Sequence, residues 1–110
     1  TFVVLEEARG LAAAVYVESR GYFGMLAVRP DLQGHGLGTR LVRIAEALCE
    51  AAGAPTMTLR IINLREELGR WYRSLGYREV GTSPFSHRRV KRPCHFVEMA
   101  KPLRSVAAAA

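Results

Sequence analysis

Cysteine is scarce in this 110-residue chain: Cys49 and Cys94 stand alone, with no CxxC pair and no His/Cys cluster. That excludes a disulfide framework and a thiolate metal site as organising features, and it suits a cytoplasmic protein. Cys49 falls in an apolar helical pattern and reads as an inert core thiol. Long apolar runs are also missing. None approaches the roughly 18 residues a membrane span needs, so no membrane role is expected, and nothing at the N-terminus has the layout of a signal peptide. Acidic residues are in deficit, 10 Asp and Glu against 16 Lys and Arg, giving a net charge of +6. That balance favours an anionic ligand or partner without distinguishing a phosphorylated cofactor from nucleic acid.

What is present fits one domain, read as residues 1–104, followed by a low-complexity frayed tail over 105–110. The chain opens on Thr1 instead of Met, so it reads either as processed upstream or as a fragment.

"TFVVLEE" is a short β-rich run closed by the turn-prone Ala8–Gly10. Leu11–Ser19 is a second extended run, and Arg20–Gly21 reads as a hairpin turn. "YFGMLAV", Tyr22–Val28, is nearly all apolar, as expected of a central strand buried on both faces. "LGTRLVRIAEALCEAAG" then carries Leu37, Leu41, Ile44, Ala45, Leu48 and Cys49 on one helical face, with Gly53 placed to end it. Thr56–Ile62 is another strand, and its helical connection predicts a parallel partner for Tyr22–Val28. "LREELGRWYRSLG" predicts a second helix ended by Gly76, with Leu64, Leu68, Trp71, Tyr72 and Leu75 at helical spacing. "YREVGT", the basic loop "SPFSHRRVKRP" and the alternating "CHFVEMAKPL" complete a β-β-β-α-β-α-β-β order. The fold class is therefore a mixed α/β sheet.

The junction "LAVRPDLQGHGLGTRLV" places Gly34, Gly36 and Gly38 between a strand and a helix. A helix N-terminus leaves N–H groups unpaired, and glycines let an anion approach them closely. The P-loop pattern fails, because no lysine stands at the required place after Gly34. The dinucleotide fingerprint GxGxxG fails too, since "GHGLG" spaces its glycines as GxGxG.

A third pattern fits. "Q-G-H-G-L-G", Gln33 to Gly38, resembles the Q/R-x-x-G-x-G/A signature of the GNAT superfamily of N-acetyltransferases. "W-Y-R-S-L-G-Y", Trp71 to Tyr77, independently resembles the family's (F/L)Y-x-x-x-G-(F/Y) segment. The likeness covers about residues 2 to 103.

The resemblance implies a GNAT-like, mostly antiparallel sheet with a central parallel pair and flanking helices. It implies transfer of an acetyl group from acetyl-CoA, as co-substrate and without a metal, to a primary amine of a small molecule or peptide. In the family the cofactor lies in a V-shaped gap between two splayed strands. Carried over by position, the backbone of Leu26, Ala27 and Val28 would pair with the pantetheine arm. The N–H groups of Gly34, His35, Gly36, Leu37, Gly38 and Thr39 would cradle the pyrophosphate. Gln33 would support that loop, and Asn63 would hydrogen-bond the pantetheine. Tyr72 matches the tyrosine that donates a proton to the departing thiolate, and a strand N–H near Leu26–Val28 would stabilise the oxyanion. Arg40, Arg43 and the cluster His87, Arg88, Arg89, Lys91 and Arg92 read mainly as a solvated face, with one or two available to the coenzyme's 3′-phosphate.

Two departures stand out. Where some members carry a glutamate base, six residues before Val28, this chain has Tyr22, which leaves Glu18 and His87 as substitute candidates. Only 32 residues precede Gln33, so the family's N-terminal strand and helices are expected to be absent, and a homodimer is one way to complete the acceptor pocket. A smaller departure is spacing, since Asn63 lies nine residues before Tyr72. Two other function classes remain open at this point. One is a coenzyme-A-binding or regulatory module without turnover. The other, a nucleic-acid-binding module, is disfavoured because Phe85 and Phe96 only flank the basic run.

Overall fold

The computed structural model describes residues 1–85 and 93–103. The basic cluster His87, Arg88, Arg89, Lys91 and Arg92, and the tail over 105–110, lie outside the described residues. The chain folds as a mixed α/β sheet of six strands with a parallel pair and two α-helices, which is the fold class the sequence predicts. It divides into two compact units, one of Thr1–Met57 with the chain from Pro102 onward, the other of Thr58–Lys101.

The first unit begins with an antiparallel meander of β1 (Phe2–Glu7), β2 (Gly10–Glu18) and β3 (Tyr22–Val28). Gly21 makes the β2–β3 turn at φ +115°, its N–H donating to the Glu18 carbonyl at 2.9 Å. No other residue fits there, because a Cβ would stand 2.1 Å from the Thr56 carbonyl oxygen. Helix α1 (Leu37–Ala51) packs on all three strands. Ala13, Val15 and Val17 alternate inward from β2, and with Phe23, Leu41, Val42, Ala45 and Cys49 they are nearly inaccessible to solvent.

Two details differ from the sequence reading. The buried stripe of α1 runs through Leu41, Val42, Ala45 and Cys49, while Leu48 is 47% exposed. The apolar periodicity admits either stripe, and packing against the sheet selects one. β3 is not buried on both faces: Phe23 is its one fully buried residue, and Met25 is 74% exposed. The reason is a bulge. Between the pairs Ala14↔Ala27 and Tyr16↔Gly24, β2 advances two residues and β3 three. Met25 takes φ +54°, a left-handed conformation costly for a non-glycine residue.

β4 (Thr56–Ile62) starts in the first unit and continues into the second, where β6 (His95–Pro102) lies between it and β5 (Arg78–Pro84). Helix α2 (Glu66–Ser74) connects β4 to β5 and buries Gly69 and Tyr72. It is shorter than predicted, and Leu64 lies outside it, 41% exposed.

Both helices end in the same device. After α1, the Gly53 N–H bonds the Glu50 carbonyl and the Ala54 N–H the Cys49 carbonyl. After α2, Gly76 bonds Arg73 and Tyr77 bonds Tyr72 in the same pattern. These are Schellman caps, and they need the left-handed glycines that occupy them, Gly53 at φ +89° and Gly76 at φ +102°.

Candidate functional site

The first unit builds an anion cradle from strand end to helix start. Arg29 fixes the strand end: its guanidinium bonds Asp31 at 2.7 Å and Glu7 at 2.9 Å, and its N–H continues the ladder to the Ala12 carbonyl. Hydrogen bonds donated to Asp31 and Glu7 hold the Arg29 guanidinium above its ordinary pKa, and the Arg29 bond holds the Asp31 carboxyl below the usual range. A single 3-10 turn, Pro30–Leu32, follows. The Gln33 side-chain amide then donates to the Val28 carbonyl at 3.1 Å, tying the glycine loop back to β3.

Gly34 and Gly36 both adopt left-handed conformations, φ +85° and +80°, and a Cβ on either would meet no atom within 4 Å. Packing does not require these two glycines; their bare faces border open space. Gly36 is the N-cap of α1 and supplies no side-chain cap. The helical ladder begins with the Arg40 N–H on the Gly36 carbonyl at 3.0 Å, so the N–H groups of Leu37, Gly38 and Thr39 have no intrahelical acceptor. No acidic side chain occupies the first turn to satisfy the dipole. An uncapped helix N-terminus approached through exposed, side-chain-free backbone is suited to a phosphate or pyrophosphate. His35 is an exposed loop residue.

Leu26, Ala27 and Val28 run along β3 just beyond the Met25 bulge, in the same unit as the cradle. A bulge leaves backbone groups out of the ladder and available to a ligand. Of the arginines considered for the 3′-phosphate, Arg40 is exposed in the first turn of α1, whereas Arg43 ion-pairs with the buried Glu46 at 2.9 Å.

The second unit holds the other two expected site residues. Tyr72 on α2 is 6% exposed, its ring against Trp71 at 4.8 Å and edge-on to Tyr77 at 6.0 Å. Burial pushes its phenol up to about 12, so it stays protonated at neutral pH. Asn63 is clamped to the start of β6: its N–H donates to the His95 carbonyl, and its Oδ1 accepts the His95 N–H, both at 2.9 Å. The oxygen of the Asn63 amide is therefore committed within the protein.

Glu18, one of the two candidate bases, already has hydrogen-bond partners within the protein. Arg20 at 2.6 Å and the Tyr16 hydroxyl at 3.0 Å hydrogen-bond its carboxylate and hold its pKa below the ordinary value. The other candidate, His87, lies outside the described residues. Cys49 is buried, its thiol pushed up by desolvation, which agrees with an inert core role. Among the described residues no three His, Cys, Asp or Glu side chains form a metal-ligating group, and no helix is long and apolar enough to cross a membrane.

Sequence reasoning missed the Met25 bulge, the Arg29 anchor and the His95 clamp. An apolar run gives no sign of where a strand will bulge, and each anchor depends on a partner distant in sequence, Glu7 for Arg29 and His95 for Asn63.

Comparison with known proteins gives one family. The sequence profile described as "Acetyltransferase (GNAT) domain" matches residues 1–79. Among curated protein sequences, none matches the chain. Among solved structures, the ribosomal-protein-S18-alanine N-acetyltransferase from Escherichia coli superposes with a TM-score of 0.79 at 23% identity, covering 96% of this chain and 70% of that one. Nourseothricin acetyltransferase superposes at 0.77 with 22% identity, covering 94% and 65%. A Bacillus anthracis str. Ames protein in complex with acetyl coenzyme A gives 0.81 at 12% identity, covering 94% and 62%. At these identities the likeness is one of fold, and the chain spans about two thirds of the length of these structures.

Proposed function

The chain belongs to the GNAT acetyltransferase family, and on that premise we propose that it moves an acetyl group from acetyl-CoA to a primary amine. The observation that carries this reading is the uncapped N-terminus of α1, reached through Gly34 and Gly36, whose Cβ positions are open space. There the N–H groups of Gly34 to Thr39 hold the pyrophosphate, with Gln33 bracing the loop from Val28. The backbone of Leu26, Ala27 and Val28 pairs with the pantetheine arm as a further strand would. An N–H of the same stretch stabilises the oxyanion that forms when the amine attacks the thioester carbonyl.

As the tetrahedral intermediate collapses, the carbon–sulfur bond breaks and the nitrogen loses a proton. Tyr72 serves the departing thiolate. With the phenol at about 12 and an ordinary thiol near 8.5, complete proton transfer would be uphill by roughly 5 kcal/mol. Tyr72 therefore acts as a hydrogen-bond donor to the thiolate, and solvent supplies the proton. Asn63 contributes to the pantetheine, if at all, through its amide nitrogen, since its oxygen is held by His95. No carboxylate of ordinary basicity is assigned as base, so the acceptor enters as the neutral amine or gives its proton to water. The names of the similar structures span nourseothricin and an alanine of ribosomal protein S18, and the acceptor here is read only as far as an amine of a small molecule or a peptide.

Isothermal titration of the wild type and of Gly36→Glu with acetyl-CoA tests the donor site, and thiol release across a panel of amines tests turnover. The reading expects binding by the wild type, its loss in the variant, and thiol release with at least one amine. Absence of binding by the wild type would refute it.

A further inference from the structure

Helix α2 is nine residues long and carries Gly69 near its centre. A glycine in a helix interior is destabilising relative to alanine, so its presence asks for a reason. Close packing does not supply one. A Cβ at Gly69 would meet Ile61 Cδ1 at 3.5 Å and an Arg73 guanidinium nitrogen at 3.7 Å, both ordinary van der Waals contacts. What Gly69 does is line a groove of about 350 Å³ within the second unit, between α2 and the strands β4, β6 and β5.

The groove has an apolar floor and a charged rim. Ile61, Val97 and the bare backbone of Gly69 contribute the floor. On the rim, Arg73 bridges to Glu79 at 3.1 Å, and Arg65 is engaged by Glu67. Glu66 lies in the first turn of α2, where the helix dipole favours a negative charge. Arg70 is different: among the described residues, no hydrogen bond or ion pair engages its guanidinium, and the charge it acts on within the protein is Glu67, one turn earlier on the same helix. Three arginines against two glutamates leave the lining one positive charge in excess.

We propose that this groove binds a small organic carboxylate, its carboxylate on Arg70 and its short apolar body on Ile61, Val97 and Gly69. The planar guanidinium fork suits a carboxylate. The volume sits at the lower end of the roughly 300–1,000 Å³ of small-molecule sites. Glu66 and Glu79 weigh against a dianion such as phosphate, and the apolar floor weighs against a bare ion.

The test is calorimetric titration of the full chain with isovalerate, with neutral isovaleramide and inorganic phosphate as comparators. Acetyl-CoA is omitted, so the outcome does not depend on the acetyl-transfer reading. Isovalerate is expected to bind saturably, with a dissociation constant of about 1 mM or tighter, and the comparators about tenfold more weakly or worse. Arg70→Gln is expected to weaken isovalerate about tenfold or more. Gly69→Ala is expected to raise the melting temperature through helix propensity while weakening the same ligand. The proposal is overturned by absence of saturable isovalerate binding, by phosphate or isovaleramide binding equally well, or by unchanged affinity in Arg70→Gln. A Gly69→Ala variant that loses stability would also overturn it, because packing would then be the reason for the glycine.

Discussion

Replacing Gly36 with alanine separates what that residue does for the fold from what it does for a ligand. At φ +80° an L-residue pays the left-handed penalty, about 1–2 kcal/mol. Alanine returns roughly 0.4–1 kcal/mol by restricting the unfolded chain, so the net loss is about 1 kcal/mol. For a domain of this size that lowers the melting temperature by roughly 4–8 °C. No clash is added, because nothing lies within 4 Å of the new Cβ. Gly53, at the other end of α1, is a matched control, with φ +89° and equally open space, so Gly53→Ala should cost the same stability. Only Gly36→Ala adds a methyl at the N-cap of α1, next to the Leu37–Thr39 N–H groups in sequence. Losing one charge-assisted hydrogen bond there, about 1.5–3 kcal/mol, should weaken acetyl-CoA by roughly 10- to 100-fold. Thermal unfolding and calorimetry on the two variants decide the matter. Wild-type affinity in Gly36→Ala, or an equal loss of affinity in Gly53→Ala, would refute the cradle.

Three further outcomes are expected. Gly21→Ala should cost about 4 kcal/mol or abolish folding in urea titrations, because its Cβ would fall 2.1 Å from a backbone oxygen, at a positive φ as well. Met25→Gly should leave stability unchanged or slightly higher, since relief of φ +54° offsets the loss of a side chain that is mostly exposed, whereas Met25→Val should destabilise by about 2 kcal/mol in the same assay. Burial pushes the Tyr72 phenol up to about 12, against about 10 for an exposed tyrosine. Its contribution is therefore full below pH 10, and stability should fall as pH rises from 10 toward 12. Tyr72→Phe should flatten that alkaline limb and, with acetyl-CoA and a working amine, lower kcat more than it changes KM for acetyl-CoA.

Much of the fold was legible because its signals are local. The hairpin turn at Gly21 and the helix stops at Gly53 and Gly76 are backbone requirements for positive φ, met where glycine occurs in the chain. The ends of β3 could be read from Tyr22 and Val28, since polar and turn residues bracket an apolar run. The glycine loop before α1 was legible for a related reason, because spacing, glutamine and glycines all lie within six residues. Where two answers satisfy the same local pattern, the sequence was less informative. The stripe of α1 could include Leu48 or Val42, and only the sheet beneath it chose Val42. Asn63 reads as a free amide in sequence, yet it is clamped by His95 from 32 positions away.

By itself, then, the sequence determined the order of elements, their glycine punctuation and the resemblance carried by "QGHGLG" and "WYRSLGY". These follow from backbone sterics and side-chain types within a few residues of each other. Tertiary structure decided the rest. It placed the bulge at Met25, because strand register is settled by pairing with β2 and not by the apolar run. It set Glu18 beside Tyr16 and Arg20, whose hydrogen bonds hold its carboxyl below the ordinary pKa. It buried Tyr72 against Trp71 and Tyr77, which pushes its phenol up to about 12, and burial is a property of the folded packing alone.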